Sequence, residues 1–271
     1  MEHNPSLHTL IYNLDLGRTK PDTVHRDASY CPFCDVAHLK NIMETRGHMI
    51  WLENAYPVLK DSWQTLIIER DDCDGEFCEY TPDYATKLID FGLEKWQQVK
   101  EMGRFRSVVF YRNHGYMSGG TIHHPHSQIV GFENYDYHDD IKLYHLLGTP
   151  IIEEDGLEIN LSTRPIIGFY EVNLILENKE KLPEFVRYMQ LVAHYFIHDF
   201  VWRNESYNIF FYDFPGDSRL CQNSPTFSYQ SAVRRIYDCP GRQQGTSAAG
   251  YRKTAYHFIG KEIIYAFICN R

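Results

Sequence analysis

With 271 residues, 43% of them hydrophobic, 15% aromatic and 23% charged, the chain has a folded, globular composition and enough length to bury an enclosed site. A formal charge of -9 argues against attraction to polyphosphate backbones, so nucleic acid is not an expected partner. No apolar run reaches the length of a membrane span, and Met1-Glu2-His3-Asn4-Pro5 lacks the basic start and apolar core of a secretory signal, so no membrane partner and a cytoplasmic location are expected.

Residues 1 to 30 carry scattered Pro, Asp and Arg with little periodicity, apart from Leu10-Ile11-Tyr12. Arg18 and Lys20 supply cations here that could reach a phosphate, and the favoured reading for both is solvated surface. Cys31-Pro32-Phe33-Cys34 is a C-x2-C knuckle, the spacing that turns two thiolates toward one tetrahedral ion. An odd total of seven cysteines fits thiols and metal ligands better than a disulfide framework. A redox pair should open a helix after a buried strand, whereas this knuckle follows a polar irregular segment, so zinc is favoured. One knuckle supplies two ligands, and Cys73, Cys78, His38 and His124 are the candidates for the others.

Met49-Ile50-Trp51-Leu52 and Trp63-Gln64-Thr65-Leu66-Ile67-Ile68 read as strands of a meander. Thr81-Pro82-Asp83 then starts a helix whose buried stripe is Ala85, Leu88, Ile89, Gly92, Trp96 and Val99. A strand follows over residues 107 to 113 and leads to Ser118-Gly119-Gly120-Thr121-Ile122-His123-His124-Pro125-His126-Ser127-Gln128. If that run is extended, His124, His126 and Gln128 point to one face. The glycine pair upstream lets backbone amides approach phosphate oxygens.

The order strand, long helix, strand recurs in the second half. A strand is expected over residues 167 to 176, and a helix from Leu182 with a stripe of Leu182, Phe185, Val186, Met189, Ala193, Phe196, Ile197 and Phe200. A strand over residues 207 to 212 and a closing segment from Tyr256 to Ile268 complete the unit. His194 and His198, four apart on the helix, have metal-binding spacing, but the ordinary reading is two imidazoles flanking a core stripe. Residues 214 to 253 read as one long loop, with Arg219, Arg234, Arg235, Arg242, Arg252 and Lys253 as a basic island; it is either a solvated excursion or a lid or dimer arm that contacts phosphates. The expected organisation is two halves, 1–150 and 151–271, with the chemistry in the first because the second has no His-Pro-His-x-Gln counterpart.

The knuckle, the strand ending in Asn113, the Ser-Gly-Gly-Thr loop and His-Pro-His-Ser-Gln, in that order, resemble the galactose-1-phosphate uridylyltransferase branch of the histidine-triad superfamily. More closely, the chain is similar to the bacterial family called domain of unknown function 4931. The resemblance implies an α+β, histidine-triad-like fold of two pseudo-repeated halves, each with a mainly antiparallel sheet and a long helix. It implies His126 as the nucleophile, and Cys31, Cys34, Cys73 and His124 as ligands of a structural zinc ion, Cys73 standing where the family usually has His. Nucleotide contacts carry over to Asn54, Asn113, Gly119, Gln128 and Thr121, the last where a Ser is usual. The implied activity is nucleotidyl transfer or phosphorolysis on a nucleotide sugar or dinucleoside polyphosphate, with phosphate or a sugar phosphate as acceptor and a homodimer as the assembly. The alternative is a nucleotide-binding protein of the same fold without turnover.

Overall fold

Apolar residues about 3.6 apart give each long helix one buried face, while the continuous apolar runs of the strands send successive side chains to cores on both faces of the sheet. The computed structural model describes residues 10–25, 30–166, 170–200, 205–214 and 224–228, the last of these by backbone. Within them lie β1 (Ile42–Arg46), β2 (Met49–Glu53), β3 (Ser62–Ile68), β4 (Ser107–His114), β5 (His126–Phe132), β6 (Gly148–Glu154), β7 (Leu157–Ser162), β8 (Glu171–Leu176), β9 (Tyr207–Tyr212) and β10 (Ser224–Ser228). They form one sheet in the order β1-β2-β3-β5-β4-β9-β10-β8-β7-β6, antiparallel at every pairing. The second five strands repeat the first five in mirrored order, so β4 and β9 meet at the centre. There Phe110 stacks on Phe211 with ring centroids 4.3 Å apart.

The helices are α1 (Leu14–Thr19), α2 (Pro82–Glu101) and α3 (Leu182–His194). α2 starts where the sequence indicates: Thr81 Oγ1 accepts from the Tyr84 amide at 3.4 Å, and Pro82 occupies the first turn, where a missing N–H costs nothing. The expected stripe is buried, and Phe91, Leu93 and Lys95 are buried with it. That wider face arises because α2 packs on the sheet and also against α3. Lys95 is tolerated there because its ammonium meets Glu44 and Glu94. α3 does not end in an ordinary cap. Its last turn widens to a π turn over Tyr195–Asp199, in which the Phe200 amide donates to the Tyr195 carbonyl at 2.8 Å.

Two sequence expectations change. β5 begins only at His126, and residues 118 to 125 form a loop, because Gly115 (φ +83°) and Gly119 (φ +86°) turn the chain through conformations that L side chains rarely adopt. Residues 214 to 253 are not all loop: Ser224–Ser228 inserts between β9 and β8, a strand masked in sequence by its short polar residues. β1, which lacks the apolar alternation that would mark a strand in sequence, is an exposed edge and among the described strands pairs with β2 alone. The basic island and the closing segment at residues 256 to 268 lie outside the described residues.

Gly92 sits where α2 touches the sheet, and a Cβ there would lie 2.4 Å from the tip of the Phe110 ring. That ring is clamped against Phe211 and Trp96. Gly92→Ala would gain about 1 kcal/mol of helix propensity, whereas overpacking costs about 1–3 kcal/mol. The variant is therefore expected to be the less stable protein in urea unfolding; an increase in stability would refute this packing argument.

Candidate active site and metal centre

The knuckle, the loop after β3 and the turn before β5 converge on one point. His124 Nδ1 lies 3.6 Å from Cys31 Sγ and 3.5 Å from the sulfurs of Cys34 and Cys73. Zinc bonds of about 2.3 Å to sulfur and 2.0–2.1 Å to nitrogen give a tetrahedral edge of about 3.6 Å, so the donor set fits that ion. The other nitrogen, Nε2, donates to the Arg70 carbonyl at 2.8 Å, which fixes the ring with Nδ1 free to ligate. Without a cation the crowding is unfavourable: burial, then the Cys34 and Cys31 sulfurs, push the Cys73 thiol well above its ordinary range. Of the four local candidates, Cys73 and His124 complete the knuckle. His38 pairs with Asp35 at the surface, and Cys78 turns toward α3.

His126, the first residue of β5, is 8% exposed and forms part of the wall of a cleft of about 310 Å³. Its Nδ1 lies 2.8 Å from the His124 carbonyl oxygen. Burial drives its imidazole down to about 4; the His124 carbonyl acts in the opposite sense, and Lys20 and Arg112 add to the lowering. Asn54 and Gln128 share the cleft wall with Phe33, Leu52, Leu66 and Ile122, which form an apolar side. Phe33 also meets His126 edge-on at 5.3 Å. A larger groove of about 570 Å³ runs beside α2 and is lined by neither imidazole nor thiol.

Asn113, Gly119 and Thr121 do not line this cleft; they belong to β4 and the adjoining loop. Ser118 Oγ takes the Gly120 amide at 3.2 Å, so that amide already has a partner. The Thr121 hydroxyl, in contrast, is buried without one. The sequence reading favours a solvated surface for Lys20 over contact with a phosphate, and it misses Asn208. Lys20 lines the cleft, and burial pulls its ammonium below the ordinary value while Asp22 opposes the fall; no local pattern separates it from Arg18, which is exposed. Asn208 on β9 is the register partner of Asn113, so the two side chains share a face, and both amide atoms of Asn208 are buried without partners. An Asn inside an aromatic strand is the signal that would have found it.

Comparisons with known proteins agree with this geometry. The model for the domain of unknown function (DUF4931) N-terminal domain matches residues 12–135, and that for its C-terminal domain matches residues 138–232. The chain belongs to the DUF4931 family. A DUF4931 protein of Bacillus cereus of known crystal structure is 31% identical, with a TM-score of 0.70 over 83% of this chain and 99% of that one. A curated galactose-1-phosphate uridylyltransferase of Streptomyces lividans is 24% identical over 112 residues, which are 41% of this chain and only 32% of that protein. An ADP-glucose phosphorylase of Arabidopsis thaliana, crystallised with ADP-glucose, shares the fold at 12% identity, with a TM-score of 0.63 over 82% of this chain and 86% of that one. Among the described residues of this DUF4931 chain, no helix is long and apolar enough to cross a membrane.

A buried polar network supports the site from beneath. Arg112 Nε donates to both oxygens of Glu69 at 3.0 and 3.2 Å, and its Nη1 donates to the Tyr207 hydroxyl at 2.8 Å. The Tyr207 hydroxyl donates in turn to Glu76, which also meets His114 at 2.6 Å. Burial pushes the Glu76 carboxyl up, but Arg112 and His114 outweigh it and hold it at about 2. The Glu69 amide donates to Pro125 O at 3.1 Å, between His124 and His126. In this DUF4931 protein the network therefore links β9 to the backbone that presents both imidazoles.

Proposed function

We propose that this DUF4931 protein transfers a nucleotidyl group from a nucleotide sugar or dinucleoside polyphosphate to phosphate or a sugar phosphate, through a covalent intermediate on His126. What carries this reading is the tautomer of His126. A carbonyl only accepts, so the contact to His124 O at 2.8 Å puts the proton on Nδ1 and leaves Nε2 with its lone pair in a residue that lines the cleft. Nε2 attacks the α-phosphorus; the nitrogen–phosphorus bond forms as the bond to the leaving phosphate oxygen breaks, and that oxygen keeps the electron pair. An oxygen of the second substrate then displaces the histidine and restores the free imidazole.

The apolar side of the cleft suits a base, and Asn54 and Gln128 supply its polar contacts. Lys20 and the Gln128 carboxamide answer the charge on the phosphoryl oxygens. Asn113, Gly119 and Thr121 complete the nucleotide contacts from the adjoining loop, and the unpartnered Thr121 hydroxyl supports that role. Cys31, Cys34, Cys73 and His124 would hold zinc; four protein ligands leave no open position, so the ion would anchor the backbone before His126 and take no part in activating water. The likeness to the uridylyltransferase and to the ADP-glucose phosphorylase supports a nucleotide sugar as the substrate class.

Gln128 argues for transfer in preference to hydrolysis. A carboxamide holds oxygens but cannot exchange protons with attacking water, and such acid–base help is typically worth about 10²–10⁴-fold. Intact-mass measurements after incubation with nucleotide sugars and dinucleoside polyphosphates should reveal a nucleotidyl adduct on the wild type and none on His126→Ala. The adduct should decay faster with phosphate or a sugar phosphate than in buffer alone. A protein that only binds nucleotides would give thermal shifts without an adduct, and an adduct surviving His126→Ala would refute the assignment.

A further inference from the structure

Outside the site described above, a second group of metal-binding side chains stands where the two halves meet. Cys78 lies in the 3-10 turn Phe77–Glu79 of the first half; His194 ends α3 of the second, and His198 lies in the π turn that follows. Their ligand atoms all lie within 4.8 Å of one another. We propose that Cys78, His194 and His198 form a second binding site for a zinc-type divalent cation, with water completing the tetrahedron, and that the bound ion clips the Phe77–Glu79 turn to the end of α3.

Two features of the surrounding structure hold these ligands together. Gln190, itself only 8% exposed, donates from Nε2 to the carbonyls of Phe77 and Tyr80 at 2.9 and 2.8 Å. Those two bonds bracket Cys78 and fix it against α3 four residues before His194. His198 follows His194 by four residues, the spacing that makes side chains neighbours on a helix surface, and the two imidazoles have centroids 4.4 Å apart. π turns inside α-helices are frequent at functional sites. A tetrahedral zinc edge between sulfur and nitrogen is about 3.6 Å, and both imidazole side chains reach solvent, so their rotation closes the remaining ~1 Å. Asp199 Oδ2, 3.9 Å from His194 Nε2, stands ready to orient that ring. One thiolate and two imidazoles favour zinc or cobalt over magnesium or calcium, which prefer oxygen.

The test uses the full chain as purified, its metal content measured first, titrated with Co²⁺. Wild-type protein should bind one further equivalent and develop a thiolate-to-cobalt charge-transfer band that is absent from Cys78→Ala. His194→Gln and His198→Gln, at exposed positions that the fold tolerates, should each weaken this binding by at least about tenfold, since even outer-sphere partners of a metal are worth about 10–100-fold. The added ion should also raise the melting temperature of wild-type protein and leave that of the double His variant unchanged. A band that persists in Cys78→Ala, or Co²⁺ stoichiometry and affinity indifferent to both His substitutions, would overturn the proposal. Whatever happens here leaves the nucleotidyl-transfer reading untouched, because the adduct on His126 is measured separately.

Discussion

Exchange of Cys31 for Ser is expected to abolish zinc binding by the Cys31, Cys34, Cys73 and His124 cluster and to lower the melting temperature by about 10 °C or more. The expectation rests on what the ion would join. Three stretches far apart in the chain, the Cys31–Cys34 knuckle, Cys73 after β3 and His124 before β5, meet with nitrogen–sulfur separations of 3.5 to 3.6 Å. Structural zinc contributes about 10–16 kcal/mol in small zinc peptides, where it supplies nearly all of the fold. Here a ten-stranded sheet and its apolar core share the work, so partial destabilisation is expected in place of complete unfolding. His126 should lose reactivity along with stability, because its backbone is anchored two residues from His124. Metal analysis and thermal melts, with and without chelator, check this result. A variant that melts with the wild type, or wild-type protein prepared without chelator that contains no zinc, would count against the metal centre.

Arg112→Met should cost about 3–5 kcal/mol, the usual penalty for removing one partner of a buried ion pair. Arg112 is 3% exposed and Glu69 1%, so water cannot take over the carboxylate that is left behind. Methionine fills similar volume, and the loss therefore reports the uncompensated charge more than a cavity. The double variant Arg112→Met with Glu69→Gln should recover part of the loss, since the stranded charge is then gone. The pH dependence has a definite sign. In the wild type Glu76 is held at about 2 against an ordinary 4.5, so its contribution is complete above about 4.5 and fades as the pH falls toward 2. Without Arg112 the largest influence opposing burial is gone and that carboxyl rises, so protonation relieves the variant. The stability gap between the two proteins should narrow in acid. Urea unfolding at neutral pH and near pH 4 measures it, and a gap that widens in acid would contradict the network as described.

Much of the fold was legible because its causes are local. The apolar stripe of α2, its Thr81 cap and Pro82, and the short apolar runs of β2, β3 and β4 are written within windows of a dozen residues, and each appears in the structure within a residue or two of its expected bounds. So is the Cys31–Cys34 knuckle, and the order of motifs identified the family. What sequence alone left open depends on approach between distant segments. Cys73 and Cys78 are equally near the knuckle along the chain, yet the Gln190 bonds turn Cys78 toward α3 while the end of β3 delivers Cys73 to His124. Lys20 and Arg18 look alike in sequence, and only the bonds of Thr23 and Val24 to the Thr121 carbonyl bring the first into the cleft. Asn208 joins the face of Asn113 because β9 pairs with β4 across the centre of the sheet. Side-chain direction within one element follows from periodicity, but the meeting of two elements is decided by register and packing over the whole chain, and it is there that the tertiary structure brought together the Cys3His cluster, the cleft and the link between the halves.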